Sequence, residues 1–412
     1  MYAATVSAHS FADIVGQSEA VEFLQGVAAR GRYANAYLLY GPPGVGKGTA
    51  AIAFARALLC ERVGGAFAPA ATPAQAGLFG DAPAPAPSRQ PAGEACGECA
   101  ACTKTAELQH PDLKFLFPVS GEESKLDDTI IETLAEWRAD PLFVFVYDKA
   151  ASIRLSMTRE LLREMAFKPF EAGRRVVVVR DADRMREDQF SAMLKSIEEP
   201  GSSTVWVITS SRPGRMPATI RSRCQRVRFR PLDEAVIASF LTDRVGLDRT
   251  MVALLAGLSS GSLGRALSLR EANPEQAREH ARGLLGRARS GNYAELWKEI
   301  QGLMAYGKVS RETLRRLIEL QMLWLRDLLR ARYGGETERF VHADRKADVL
   351  RAAQSIDATE IRRRLMILEE ALRSIEGNVS PDLTLFSTQS RLADPSRSRT
   401  EWPEPPSAPW RY

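Results

Sequence analysis

The residues Gly41-Pro42-Pro43-Gly44-Val45-Gly46-Lys47 decide the fold of this chain. They match the pattern G-x-x-x-x-G-K, in which backbone N–H groups at a helix N-terminus hold phosphate groups and the lysine reaches the terminal ones. The apolar run Ala36–Tyr40 precedes the loop, and a helix is predicted to begin near Lys47. A strand, a glycine turn and a helix in this order form the context that a phosphate-binding loop requires.

The residue after Lys47 departs from this pattern. A serine or threonine there would give Mg²⁺ a hydroxyl ligand, but the chain has Gly48, and Thr49 comes one position late. Bound ATP therefore remains possible, whereas tight turnover that depends on Mg²⁺ is not expected; a glycine turn without nucleotide is the open alternative. The candidate nucleotide contacts in the loop are Gly41, Gly44, Gly46, Lys47, Gly48 and Thr49.

A second departure follows the apolar, β-branched run Val176–Val179, which predicts a central parallel strand buried on both faces. An active ATPase would continue with Asp-Glu, the first to hold Mg²⁺ and the second to orient the attacking water. Here Arg180 takes the first place with Asp181 as a short substitute for glutamate, or Asp181 takes it and Ala182 follows. Neither alignment gives a complete pair, so Asp181 is a degenerate magnesium and catalytic candidate.

Strand and helix signals alternate through residues 11–230. Val205–Ile208 is another buried strand, helices are predicted at Lys125–Ala139 and Met157–Ala166, and Leu142–Tyr147 is a short β-prone run. This alternation predicts an α/β layer with a parallel sheet. Beyond Pro231 the signals are helical only, with short helices followed by longer amphipathic ones.

At 412 residues the chain is long enough for two or three domains. We predict a nucleotide-binding-like domain over 1–231, interrupted by an Ala/Pro-rich disordered insertion at 61–95. A small helical lid over 232–273, a helical domain over 274–392 and a flexible tail over 393–412 complete the prediction.

Three of the five cysteines lie in the pattern Cys96-x-x-Cys99-x-x-Cys102. Two-residue spacers can place thiolates around one metal ion, and tetrahedral zinc needs four soft ligands. Cys60 is the most plausible fourth ligand, because looping out the Ala/Pro-rich insertion would bring it near at a small entropic cost. We therefore predict a structural Zn²⁺ site over 96–102 with Cys60; free buried cysteines are the alternative.

The net charge of +5 is compatible with contact to a polyanion. Arginine runs such as Arg362-Arg363-Arg364 fit a solvated helix face equally well. No apolar run approaches the roughly 20 residues of a membrane span, and the N-terminus has no signal-peptide core. A cytoplasmic protein without a membrane partner is the expectation.

The chain resembles the clamp-loader branch of the AAA+ ATPases, and within it the delta-prime subunits of bacterial DNA polymerase III. The matching segments lie in the order found in that family and cover most of residues 11–230. Besides the glycine loop and the cysteines, they are Phe11–Gln17, Asn35–Leu39, His110-Pro111-Asp112, Lys168-Pro169-Phe170, Gly173-Arg174-Arg175, Asp181–Met185, Ala192–Pro200 and Ser222-Arg223-Cys224.

The resemblance implies an AAA+ P-loop domain, a helical lid and an all-α collar through which five subunits form an open ring. Such a ring, containing gamma/tau and delta subunits, opens the sliding clamp and loads it onto primed DNA. The arginine of Ser-Arg-Cys reaches into the ATP site of the neighbour, so Arg223 corresponds to a trans-acting arginine finger. The resemblance also adds Val15 and Gly16 to the candidate nucleotide contacts.

Departures from the motor subunits of that family concern only the chain's own site. Gly48 replaces their threonine, Arg180-Asp181 replaces their Asp-Glu, and Gly264 stands where they carry a lid arginine, with Arg265 displaced by one. Arg223, which would act on a neighbour, is intact. The pattern favours a non-hydrolysing, delta-prime-like stator without ATPase activity of its own.

Two alternatives remain. The first is an active ATPase of the gamma/tau type that uses Asp181 and a rearranged Mg²⁺ shell. The second is a helicase-type AAA+ ring protein, which would have no use for the cysteines or for Ser-Arg-Cys. In the family's nucleotide-sensing position, Ser210 and Ser211 are equal candidates.

Overall fold

The computed structural model describes residues 10–63, 92–140, 142–147, 151–199, 203–290, 293–302, 310–334, 339–375 and 379–393. Most of the predicted insertion at 61–95 and nearly all of the predicted tail at 393–412 lie outside these residues. The described residues form two compact units: 10–144, 151–247 and 260–267 make the first, and 145–147, 248–259 and 268–393 make the second.

The first unit is built on a five-stranded sheet in the order β2-β3-β4-β1-β5. All four strand pairs are parallel, which confirms the predicted α/β fold class with a parallel sheet. The strands are β1 (Ala36–Tyr40), β2 (Leu113–Leu116), β3 (Arg175–Val179), β4 (Thr204–Ser210) and β5 (Gln225–Arg228).

Sequence patterns found the three inner strands and missed the two edges. The residues of β3 and β4 are buried throughout, so they appear in the sequence as continuous apolar runs. In β5 only Val227 is buried, and a short edge strand with charged residues lacks that signal. The β-prone run Leu142–Tyr147 forms no strand among its described residues.

Helix α2 lies at the centre of the first unit. It begins directly after the glycine loop, and all of its residues from Ala50 to Leu59 are buried. Val176 and Val178 of β3 share a core with this helix, whereas Val177 and Val179 point to the opposite core. The helices of this unit are α1 (Ser18–Arg30), α2 (Lys47–Leu59), α3 (Ala100–Ala106), α4 (Leu126–Ala139), α5 (Leu155–Glu164), α6 (Glu187–Glu198), α7 (Ala218–Arg223) and α8 (Glu234–Asp243).

The second unit has only helices among its described residues, as the sequence predicted for 275–392. Its central helix buries polar pairs that are hydrogen-bonded, such as Gln321 with Gln389 and Asp327 with His342, as buried polar groups require. Its helices are α9 (Arg249–Leu258), α11 (Pro274–Ser290), α12 (Tyr293–Gly302), α13 (Arg311–Gly334), α14 (Lys346–Gln354), α15 (Ala358–Ile375) and α16 (Pro381–Ala393), and α10 (Leu263–Glu271) begins in the first unit.

The predicted lid at 232–273 contributes to both units, since α8 belongs to the first and α9 to the second. The domain boundaries at 231 and 273 stay predictions. None of the helices in the described ranges has an apolar stretch long enough for a membrane crossing.

Candidate functional site

The carboxyl ends of three parallel strands bring the candidate nucleotide residues together. Tyr40 of β1 pairs with Ser210 of β4, and Val179 of β3 pairs with Ile208. The segments that follow these strands therefore lie together at the carboxyl ends of the strands, which is where α/β proteins bind ligands. Lys47, Arg180 and Ser211 meet there.

The loop before α2 has a backbone that only glycine adopts easily. Gly41, Gly44 and Gly46 have φ values of +152°, +71° and +98°. A Cβ atom at Gly41 would lie 2.2 Å from the carbonyl oxygen of Phe229, which is backbone and cannot move aside. The glycines of the predicted loop are thus required by its geometry.

Lys47 is buried and turned onto the loop itself. Its Nζ donates to the carbonyl oxygens of Gly41 at 2.9 Å and Pro42 at 2.5 Å, and to Ser211 Oγ at 3.1 Å. Burial lowers the pKa of Lys47 to about 8, and the charge of Arg180 acts in the same direction. Of the two serines, Ser211 contacts Lys47 through its side chain, whereas Ser210 accepts from the N–H of Gly41 at 3.3 Å through its backbone carbonyl oxygen.

Asp183 was not selected from the sequence. It holds the residues that follow the carboxyl end of β4. It is buried and accepts hydrogen bonds from Ser210 Oγ at 2.9 Å, Ser211 N–H at 3.0 Å and Arg212 Nε at 3.1 Å. Burial alone would raise the pKa of Asp183, but Arg212 and these hydrogen bonds hold it below the usual value. The sequence signal for Asp183 was its position two residues after Asp181, just beyond a buried strand.

Asp181 stands apart from this network. Its φ of +48° is in the left-handed region, and its N–H donates to Thr209 Oγ1 at 2.9 Å. Its carboxylate lies 3.5 Å from Nε of Arg180. The carboxylate that sequence analysis selected as a magnesium candidate is therefore already beside a cation.

The residues of the loop do not fit a magnesium ion. A Cβ atom at Gly48 would lie 2.0 Å from Nη1 of Arg180, so the guanidinium occupies the space where the hydroxyl ligand of an ATPase would be. Thr49 lies half-buried one residue further into α2. Magnesium needs oxygen ligands in near-octahedral order, and position 48 supplies none.

Gly264 explains the displaced lid arginine. Its N–H donates to the carbonyl oxygen of Gly44 at 2.9 Å, and a Cβ atom at position 264 would lie 2.9 Å from Gly44 Cα. An arginine cannot occupy this position without moving the backbone. Ser262 Oγ accepts from the N–H of Arg265 at 3.1 Å and so begins α10 beside the loop.

The segment with Val15 and Gly16 supports the loop from the other side. Gly16 has a φ of +67°, and a Cβ there would lie 2.7 Å from Leu232. The next side chain, Gln17, donates to the carbonyl oxygens of Arg230 at 2.7 Å and Val45 at 3.4 Å. Val15 is half-buried. The contacts made by Gly16 and Gln17 are structural, and nucleotide contact by Val15 and Gly16 stays a prediction.

The four predicted zinc ligands come together at the other end of α2. Their sulfur atoms all lie within 4.8 Å of one another, and all except Cys99 are buried. Cys60 follows the last residue of α2, Cys99 caps the N-terminus of α3, and Cys102 lies in its first turn. Cys60 therefore lies beside the trio, as predicted.

Hydrogen bonds already order the cluster. The N–H of Cys96 donates to Cys60 Sγ, the N–H of Cys99 to Cys96 Sγ and the N–H of Cys102 to Cys99 Sγ, each at 3.4 Å. A hydrogen bond from Cys102 lowers the pKa of Cys60, which favours a thiolate. Four thiols in this arrangement fit tetrahedral zinc and leave no open position, so the metal would have a structural role.

Arg223 lies at the exposed end of α7. Its Nη1 donates to the carbonyl oxygen of Thr219 at 2.8 Å, and its Nη2 lies 2.5 Å from Oε1 of Glu198. About 40% of its side-chain surface remains exposed. The partnership with Glu198 was not predicted from the sequence.

Comparisons with known proteins agree with this geometry. A family model described as "DNA polymerase III, delta subunit" matches residues 85–233. The chain is 32% identical over 238 residues to the DNA polymerase III subunit delta' of Pseudomonas aeruginosa, which covers 57% of this chain and 56% of that protein. The chain is therefore similar to clamp-loader subunits of DNA polymerase III of the delta-prime and tau/gamma type.

Two further clamp-loader relatives come from Bacillus subtilis. Subunit tau is 25% identical over 264 residues, which is 63% of this chain and 37% of tau. Subunit delta' is 22% identical over 368 residues, which is 88% of this chain and 92% of that subunit. The chain thus spans little more than half of the Pseudomonas clamp-loader subunit and about a third of tau.

Proposed function

We propose that this chain is a non-hydrolysing clamp-loader subunit that supplies Arg223 to the ATP site of a neighbouring subunit. It would act with gamma/tau and delta subunits while the sliding clamp is loaded onto primed DNA. Its cysteine cluster would hold one structural Zn²⁺. The proposal rests on one contrast: the chain's own site has no hydroxyl at position 48 and holds Arg180 beside Asp181, while Arg223 keeps about 40% of its side-chain surface exposed.

The chain's own site supports the absence of hydrolysis. Phosphoryl transfer from ATP needs Mg²⁺ to bridge the phosphates and a residue to orient the attacking water. Gly48 offers no hydroxyl, and Arg180 holds its guanidinium above it. Asp181 lies beside Arg180, and Asp183 is bound by Arg212 and the adjacent serines.

The setting of Arg223 supports a role in trans. An exposed ion pair such as the one with Glu198 contributes only about 0–1 kcal/mol. Arg223 can therefore exchange the carboxylate of Glu198 for the oxygens of a phosphoryl group at little cost. An arginine finger neutralises charge that develops on the transferred group, which is worth roughly 10³–10⁵ in rate at the site that it serves.

The test is the substitution Arg223→Ala in the full chain, assembled with gamma/tau and delta subunits. We expect assembly to be retained and DNA-stimulated ATP hydrolysis by the complex to fall. Arg226→Ala is the matched control, because Arg226 is exposed on the following strand, and it should leave the rate unchanged. An equal rate for all three complexes would refute the finger role.

The purified chain alone provides the second measurement. No ATP turnover in the presence of clamp and primed DNA is the expected result. Turnover by the chain itself, lost on Asp181→Asn, would instead support the gamma/tau-type ATPase.

A further inference from the structure

Two departures from the pattern of an active ATPase, Gly48 and Arg180, depend on each other physically. A Cβ at Gly48 would approach both Nη1 of Arg180, at 2.0 Å, and its Cζ, at 3.0 Å. Any residue other than glycine would compete with the guanidinium for this space. The loss of the hydroxyl at position 48 and the gain of a cation at position 180 therefore belong together.

Positive charge gathers around the loop in the described part of the chain. Lys47 and Arg180 are its cations, and the N-terminus of α2 adds partial positive charge. Asp181 lies near them, 3.5 Å from Nε of Arg180, whereas Asp183 is held by Arg212 at 3.1 Å. A divalent metal ion would meet two fixed cations here, which is electrostatically unfavourable.

We propose that the glycine loop binds the phosphate chain of a nucleotide without magnesium, with Arg180 in the place of the metal ion. A guanidinium suits this role because its parallel N–H groups match two phosphate oxygens. Backbone N–H groups of the loop and Lys47 supply the remaining contacts. This inference does not depend on the role of Arg223, which serves a different site.

The experiment measures binding of ADP and of inorganic pyrophosphate to the full chain by calorimetry. Buffers are freed of magnesium with a resin rather than with a chelator, so that zinc is kept. We expect both ligands to bind, with the same affinity whether or not Mg²⁺ is added. Tighter binding with Mg²⁺, or no binding of either ligand, would overturn the proposal.

Variants identify the residue responsible. Arg180→Ala should weaken pyrophosphate binding by roughly 10- to 100-fold, the effect of losing hydrogen bonds to a charged group. Arg186→Ala is the control, because Arg186 is exposed a few residues along and pairs with Asp188; its affinity should be unchanged. Equal affinities for the two variants would refute the assignment to Arg180.

The double variant Gly48→Thr/Arg180→Asp tests the exchange directly. It restores a hydroxyl and a carboxylate, so we expect binding of ADP to become dependent on Mg²⁺. Gly48→Thr meets only the flexible end of Arg180, so this substitution is expected to fold, and thermal unfolding checks it. A folded double variant that binds ADP equally without Mg²⁺ would contradict the proposal.

Discussion

The glycine loop and the cysteine cluster lie at opposite ends of the same helix, α2. Lys47 begins that helix, and Cys60 follows its last residue. At the cysteine end, four identical ligands converge within 4.8 Å. At the loop end, Gly48 and Arg180 stand where an active ATPase would have a hydroxyl and a carboxylate. The same helix thus carries two candidate sites, one with a full set of ligands and one altered.

The difference shows what each site depends on. The cysteine cluster is defined by side chains: backbone N–H groups donate to three of its sulfur atoms, and the sulfur atoms of Cys96 and Cys102 contact each other at 3.8 Å. The loop is defined by backbone conformation and close approach, as at Gly41 and Gly44. Removing a side chain should therefore damage the first site, whereas adding one should damage the second.

Loss of a cysteine ligand should have the largest effect. We expect one zinc per chain by elemental analysis, and its loss together with a large fall in stability in Cys102→Ser. Structural zinc supplies roughly 10–16 kcal/mol to zinc-finger peptides, so even part of that sum would exceed the stability of many domains. Cys224→Ser is the control, since buried Cys224 lies outside the cluster and donates to the carbonyl oxygen of Ile220.

A second measurement covers the case in which Cys102→Ser does not fold. Zinc is then removed from the unaltered chain with a chelator, and thermal unfolding is recorded before and after zinc is returned. Full zinc content in Cys102→Ser, or a chelated chain of unchanged stability, would show that the cluster is not a structural zinc site.

Adding one methyl group to the loop should have a smaller effect. Gly41→Ala would place a Cβ atom 2.2 Å from a backbone oxygen of Phe229, and overpacking of this kind costs about 1–3 kcal/mol. Urea unfolding should show this loss while the zinc content stays at one. Gly214→Ala is the control, because its Cβ would meet nothing within 4 Å. Equal stability of Gly41→Ala and Gly214→Ala would contradict the claim that close backbone contacts fix the conformation of the loop.

The fold was predictable where burial leaves a continuous apolar signal. The strands β1, β3 and β4 and the helix after the loop were all placed from the sequence. Edge strand β5 was missed because it is exposed and charged apart from Val227. The run Leu142–Tyr147 is β-prone but forms no strand, since β-propensity reports on a half-buried surface and these residues have no strand to pair with in the described part of the chain.

The sites were predictable where chemistry depends on residue type and spacing. The two-residue spacing of Cys96, Cys99 and Cys102 indicated a metal site, and Cys60 followed from the need for a fourth ligand. The contact of Gly48 with Arg180 could not be predicted, because the two residues lie 132 positions apart and no spacing signal joins them. The link between Arg223 and Glu198 is hidden for the same reason.

Removal of residues 64–91 should have the smallest effect of all and sharpens the assignment of Cys60. The two sides of this segment are already joined, by Arg62 with Glu98 at 3.1 Å and by Ala101 N–H with Glu61 at 3.3 Å. Replacing the segment with a short glycine linker should keep the zinc. Shortening the loop about fourfold should stabilise the fold by roughly 1 kcal/mol.

The choice of end points matters for that deletion. Glu94 accepts from the N–H of Phe11 at 3.2 Å and from Gln25 Nε2 at 3.1 Å, and Gly93 packs on the backbone of Gln25. A deletion of 64–94 should therefore be less stable than one of 64–91, although both keep all four cysteines. Zinc analysis and thermal unfolding of the pair decide the matter. Loss of zinc from the shorter deletion would mean that Cys60 needs residues 64–91 to lie beside the other three cysteines. The cluster would then depend on a segment outside its ligands, whereas the glycine loop depends on its own backbone.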